Sequence, residues 1–129
     1  MKEEISILLV DDEKDFVATI TFWLKAKGYS VDVAYDGPTA LKMIEEKRPG
    51  IVFLDINMPG MDGIETLRLI RQKYSDLPVI MLTAYGTEKK LAESKKLSIS
   101  GFFPKDGDFE ELAGFIDAAL RSHKQIQGQ

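Results

Sequence analysis

Four short apolar runs in this sequence lead into residues that can do chemistry. Asp11, Asp12 and Glu13 follow the run 5–10, Asp55 follows 51–54, Thr83 follows 79–82, and Lys105 stands just beyond 101–103. Carboxylates brought to one place raise one another's pKa unless a cation sits among them. The chain has no cysteine and a single histidine, His123, so the available ligands are oxygens. A hard divalent ion, Mg²⁺ or Mn²⁺, held by two or three protein oxygens and several waters, suits that set. With the Thr83 hydroxyl and the Lys105 ammonium beside it, such an ion makes a place to receive a phosphoryl group, and Asp55 is the expected nucleophile.

Each residue alone has a plainer reading. An Asp pair after a strand commonly caps the next helix, a role open to Asp12 or Asp15. Asp55 could close an Asx turn. Thr83 could be a strand-end residue and Lys105 a surface charge. What favours chemistry is their joint occurrence, each at the end of a different run.

The elements that must position them read as an α/β domain. Five runs, 5–10, 29–34, 51–54, 79–82 and 101–103, alternate with segments of helical period, the sequence form of a doubly wound parallel sheet. The first, third and fourth are apolar almost throughout, as strands covered on both faces should be. The second alternates Val31 and Val33 with Ser30 and Asp32 and is expected at an edge. Helical spacing marks Phe16, Ile20, Trp23 and Leu24; Ala40, Leu41 and Ile44; Ile64, Leu67 and Ile70; and Leu112, Phe115, Ile116, Ala119 and Leu120. The fourth helix, about 88–97, offers only Leu91, Ala92 and Leu97 against four lysines and is expected to dock least firmly. Gly28 is placed to cap the first helix, and Pro38 to start the second. In an open parallel sheet ligands bind beyond the carboxyl ends of the strands, where the candidate residues fall.

The length of 129 residues indicates one domain, and 44% apolar with 29% charged residues indicates a packed core. A net charge of −4 argues against direct binding of nucleic acid. The longest uncharged stretch, 77–87, falls well short of the ~20 residues that span a bilayer, so no membrane association and a cytoplasmic location are expected. Residues 123–129, polar and without period, read as a frayed C-terminal tail.

Four segments together carry a resemblance: Leu-Val-Asp11-Asp12-Glu13, Leu-Asp55-Ile-Asn-Met-Pro-Gly-Met-Asp-Gly63, Thr83-Ala84, and Lys105. From about Ile5 to Leu120 the chain resembles the receiver domains of two-component response regulators, of the chemotaxis and other single-domain type. The resemblance implies a five-stranded sheet of order 2-1-3-4-5 with five helices, a receiver domain at 1–122, and phosphorylation of Asp55 with Mg²⁺. It implies that Asp12 binds the metal with Asp55, Asp11 acting through water and the backbone carbonyl of Asn57 as third ligand. Thr83 and the backbone amide of Ala84 would take phosphoryl oxygens, Lys105 would form an ion pair, and Phe102 stands at the family's rotating aromatic switch. The implied donor is a sensor histidine kinase or histidine phosphotransfer protein. The implied output is a downstream protein, or a second copy, docked on the fourth helix, fifth strand and fifth helix. Such a domain catalyses its own phosphorylation and dephosphorylation without being a turnover enzyme.

Two departures stand out. The family usually has proline after the lysine, with a cis bond between them, whereas here Pro104 precedes Lys105. Ser98 replaces the usual glycine near the end of the fourth helix. Three other readings compete. A phosphatase of the haloacid dehalogenase type would need a second aspartate two residues after Asp55, where Asn57 cannot exchange a proton. A flavin- or nucleotide-binding module would want a Gly- or Ser/Thr-rich loop where Asp11-Asp12-Glu13 stands. A receiver fold used only for docking, without phosphorylation, is the third.

Overall fold

A computed structural model describes residues 5–84 and 87–127, with side chains through Arg121. The chain alternates β1 (Ser6–Val10), α1 (Lys14–Ala26), β2 (Ser30–Ala34), α2 (Gly37–Glu46), β3 (Ile51–Asp55), α3 (Gly63–Lys73), β4 (Val79–Thr83), α4 (Glu88–Lys95), β5 (Gly101–Pro104) and α5 (Leu112–Gln127). A single 3₁₀ turn, Phe109–Glu111, leads into α5. All strand pairs are parallel, in the order β2-β1-β3-β4-β5. The fold is the flavodoxin-like one expected, with β2 at an edge.

Successive side chains of a strand point to opposite faces, and this divides the core in two. Ile7, Leu9, Phe53, Ile80, Leu82 and Phe103 face α1 and α5, where they meet Val17, Ile20, Leu24, Leu112 and Ile116. Leu8, Val10, Val52, Leu54, Val79 and Met81 face the other layer, with Ala40, Ile44, Leu67 and Ile70 from α2 and α3. β3 and β4 are buried on every residue, the condition that their unbroken apolar runs require.

The register brings the strand ends level. Val10 pairs with Leu54, so Asp11 and Asp55 follow side by side; Asp55 pairs with Leu82, and Thr83 pairs with Pro104, the residue before Lys105. Because β5 is an edge strand, the N–H that Pro104 lacks is one the sheet does not need. Lys105 continues the ladder instead, donating its N–H to Thr83 O at 2.8 Å.

Three local expectations need correction. Helix α1 takes its cap from neither Asp12 nor Asp15: Glu13 occupies the N-cap without a side-chain cap bond, its carboxylate turned to Lys105 and its N–H donated to Asp11 Oδ1 at 2.8 Å. Phe115 is 36% exposed, its ring set edge-on to that of Phe103 with centroids 5.7 Å apart, so it borders the α5 core stripe without entering it. α5 runs on to Gln127, through most of the segment expected to fray. Its Lys and Gln residues favour helix, and no Gly or Pro interrupts them before Gly128. Residues 128–129 of that tail, and the His123 side chain, lie outside the described parts.

Ser98 does adopt the left-handed backbone, at φ 59°, in the turn where glycine was expected. Gly63 answers a different demand. A Cβ there would sit 2.1 Å from the Asp55 carbonyl oxygen, so only glycine lets the start of α3 close against the end of β3.

Candidate functional site at the carboxyl edge of the sheet

Asp11 and Asp55 leave adjacent strands, and both side chains are buried although each could carry a charge. Asp12, half-buried, completes a set of three carboxylates whose nearest oxygens lie within 4.8 Å of one another. From the far side of β4 comes Lys105, whose Nζ lies 2.9 Å from Asp11 Oδ2 and 3.3 Å from Asp55 Oδ2 and also contacts the exposed Glu13 carboxylate. The Phe16 ring lies 5.1 Å below the ammonium and shields it on one side.

The charges strain against their burial. The Asp55 carboxyl is pushed up to about pKa 7, first by burial and then by the charge of Asp11, with Lys105 opposing both. Burial likewise raises Asp11, against the pull of Lys105 and the Glu13 N–H. Burial disfavours a charged Lys105, yet its contacts with Glu13, Asp11 and Asp55 outweigh that and hold it above the ordinary lysine value. One lysine thus serves three acids, bonding the exposed Glu13 and leaving the two buried ones incompletely satisfied. Asp11 Oδ2 and Asp55 Oδ2 are buried without an aligned hydrogen bond. Two buried carboxylate oxygens on adjacent strands that share one ammonium, with Asp12 at the mouth, fit a hard oxygen-loving cation of the Mg²⁺ type.

The remaining expected residues are spread around this centre. Asn57 donates its N–H to Asp55 Oδ1 at 3.2 Å, so Asp55 also closes the Asx turn that its plainer reading required. The Asn57 side chain is exposed and turned to α4, where Lys90 Nζ donates to its Oδ1 at 2.8 Å. Thr83 is buried, Ala84 is exposed, and both border an open hollow of about 350 Å³ with Pro104, Lys105 and Asp106. Phe102 points outward, 42% exposed, beneath the Lys95 ammonium at 5.5 Å from its ring centroid. Phe102 therefore stands apart from the carboxylates, at the outer end of the region leading away from Thr83.

Two participants escaped the sequence reading in these roles. Glu13 was one of three acids after β1, but nothing in its spacing marked it as a partner of Lys105, ninety-two positions away. Lys90 was one of four similar lysines between 88 and 97, and the packing of α4 against the β3–α3 loop singles it out. Asp62 and Lys90 also meet there, at 3.5 Å.

Buried carboxylates at the topological switch point, a lysine reaching across β4 and a hydroxyl at the next strand end thus gather at the edge where open parallel sheets bind ligands. Solved structures share this fold. The receiver domain of NtrX from Brucella abortus matches at a TM-score of 0.85 and 30% identity, over 90% of this chain and 98% of that one. A longer NtrX chain from the same organism gives 0.90 and 28% over 98% of this chain, which spans only 29% of that protein's length. A response regulator receiver domain protein from Clostridium thermocellum gives 0.87 and 26%, covering 94% and 98%. No helix among the described residues is long and apolar enough to cross a membrane. The family profile of the response regulator receiver domain matches residues 7–117, more than four fifths of the sequence, and the chain belongs to that family.

Proposed function

We propose that Asp55 accepts a phosphoryl group from a phosphohistidine of a sensor histidine kinase or phosphotransfer protein, and that the surface of α4, β5 and α5 reports this to a partner. The observation that carries the proposal is the meeting of Asp11, Asp12 and Asp55 with Lys105 at the end of β3. Receiver domains as a family bind Mg²⁺ at such an acidic pocket, and here Asp12, Asp55 and the Asn57 carbonyl would hold it, with Asp11 behind a water. Bound there, the ion would neutralise the carboxylates and draw charge from the phosphoryl oxygens.

In the transfer, a carboxylate oxygen of Asp55 attacks phosphorus, and the P–N bond to the donor imidazole breaks with its electron pair leaving on nitrogen. Lys105, already within 3.3 Å of Asp55, supplies a fixed positive charge, while the Thr83 hydroxyl and the Ala84 N–H are the donors for phosphoryl oxygens. Hydrolysis reverses the bond at Asp55: water attacks phosphorus, the acyl oxygen leaves, and inorganic phosphate is released. Neither reaction turns over a separate substrate pool, and both belong to the domain, proposed as residues 1–122 with a polar extension beyond, acting in the cytoplasm.

The negative charge added at Asp55, about −1.5 to −2 units, draws Thr83 inward and opens space for Phe102 to rotate from its outward position. Lys95 over the Phe102 ring and the exposed Lys89 and Lys96 mark the face a partner or a second copy would meet.

Intact-mass measurement with acetyl phosphate and Mg²⁺ tests the reading. The wild-type chain should gain one phosphate, and Asp55→Asn or added chelator should abolish the gain. Labelling retained in Asp55→Asn but lost in another Asp variant would overturn it.

A further inference from the structure

α4 is attached to the rest of the molecule in two different ways. At its C-terminal end Arg71, half-buried on α3, donates to Leu97 O at 2.8 Å and Ser98 O at 2.9 Å. The same guanidinium donates to Tyr74 O and Leu77 O at 2.9 and 2.8 Å. Four carbonyls bound to one planar group fix that corner. At its N-terminal end α4 buries only the N-cap Thr87, whose hydroxyl donates to Ala84 O at 2.7 Å, and no side chain of its first turn. Lys90 reaches instead to Asn57 Oδ1 at 2.8 Å and lies 3.5 Å from Asp62 Oδ2, both on the loop that follows Asp55. Asn57 in turn donates its N–H to Asp55 Oδ1. A continuous chain of contacts therefore runs Asp55, Asn57, Lys90, α4.

We propose that Lys90 is a positioning residue that couples the first turns of α4 to the state of Asp55 through Asn57, while Arg71 holds the far end as a pivot. The proposal rests on the reading of Asp55 as the phosphoacceptor and adds a route to α4 separate from Thr83 and Phe102. A change of charge or ligation at Asp55 Oδ1 alters the hydrogen bond from Asn57 and with it the seat of the Lys90 ammonium. Beyond the buried N-cap Thr87 and the partly buried Leu91 the first turns of α4 have little to hold them, so they follow that seat. The Arg71 corner, with four bonds to carbonyls, does not.

Amide hydrogen exchange on the whole chain, with and without Mg²⁺ plus beryllofluoride as the phosphoryl mimic, tests this. Without the mimic, Lys90→Met should speed exchange at the Leu91 amide by roughly two- to fivefold, the size of an exposed charged contact. Lys96 and Leu97, beside the Arg71 corner, should be unmoved. With the mimic, wild type should change at Leu91, Lys90→Met should show little further change, and Lys90→Arg should behave as wild type. The proposal is overturned if Lys90→Met exchanges like wild type without the mimic, or if it still responds to the mimic as fully as wild type. Failure of wild type to bind beryllofluoride would refute the acceptor role of Asp55 and with it the coupling, whereas a wild type that binds and a silent Lys90→Met would refute the coupling alone.

Discussion

α3 and α4 flank neighbouring strands on the same face of the sheet, yet they are held there by different means. α3 buries Ile64, Thr66, Leu67 and Ile70 and starts from Gly63, packed so closely on β3 that a methyl group would not fit. α4 buries only Ser94, whose hydroxyl turns back to its own helix at Leu91 O, and otherwise relies on the partly buried Leu91 and on polar ties to α3 and its loop. One of these ties is the exposed pair Arg68–Glu93. Apolar burial scales with area and resists displacement in every direction, whereas exposed charged contacts contribute about 0–1 kcal/mol each and can exchange partners. The helix that carries the Asp55 loop is thereby fixed by its buried face, whereas α4, beside Phe102, is held by far less buried apolar surface.

The largest expected effect tests that contrast directly. Leu67→Ala on α3 should destabilise the fold by about 2–5 kcal/mol, because it opens a cavity in a fully buried site. Leu91→Ala on α4 should cost about 1 kcal/mol, in keeping with its partial exposure. Urea denaturation of both variants checks the difference, and equal losses would break the comparison.

The acidic edge should reveal itself through pH. Asp55 has its folded-state pKa raised to about 7, above the ordinary carboxylate value of about 3.9 in the unfolded chain. Below the unfolded value the group is neutral in both states and carries no penalty. As pH rises from about 4 to 7 the unfolded state gives up its proton first, so stability falls, and above 7 the full penalty remains. Without divalent cation, wild type should therefore lose stability relative to Asp55→Asn across this window, by about 2–4 kcal/mol. Millimolar Mg²⁺ should reverse much of the loss by binding the folded state. Thermal midpoints of the two proteins between pH 4 and 8, with and without Mg²⁺, measure it; parallel curves would show that Asp55 is not strained.

The smallest effect belongs to the turn after α4. Ser98 holds a left-handed backbone that glycine adopts freely, so Ser98→Gly should stabilise by about 0.5–1 kcal/mol. Denaturant midpoints would show it, and a loss of stability would mean that the Ser98 side chain has a use.

Much of this was legible in the sequence because it depends on local pattern. The apolar runs of β1, β3 and β4 declared strands covered on both sides, and the helical spacing of Ile64, Leu67 and Ile70 declared a docked face. A charged residue closing each of several runs declared the edge where chemistry would gather. The weak docking of α4 was legible too, since four lysines leave little apolar surface to bury. Phe115 misled because helical spacing gives an angle around the axis and not the depth of the groove it meets.

What only the tertiary structure decided are the pairings between distant residues. Asp11, not Asp12, is the fully buried acid beside Lys105, because the register of β1 on β3 sets Asp11 level with Asp55. Lys105 reaches them with proline before it because β5 is an edge strand that spares an N–H, a consequence of strand order. Glu13 joins Lys105, Lys90 joins Asn57, and Arg71 gathers four carbonyls from two corners. The residue types were visible from the start, but long charged side chains can point to many partners, and sequence spacing ranks none of them. Packing leaves each only a few acceptors within reach, and burial makes an unpaired charge too costly to keep, so the folded chain selects the partner that the sequence leaves open.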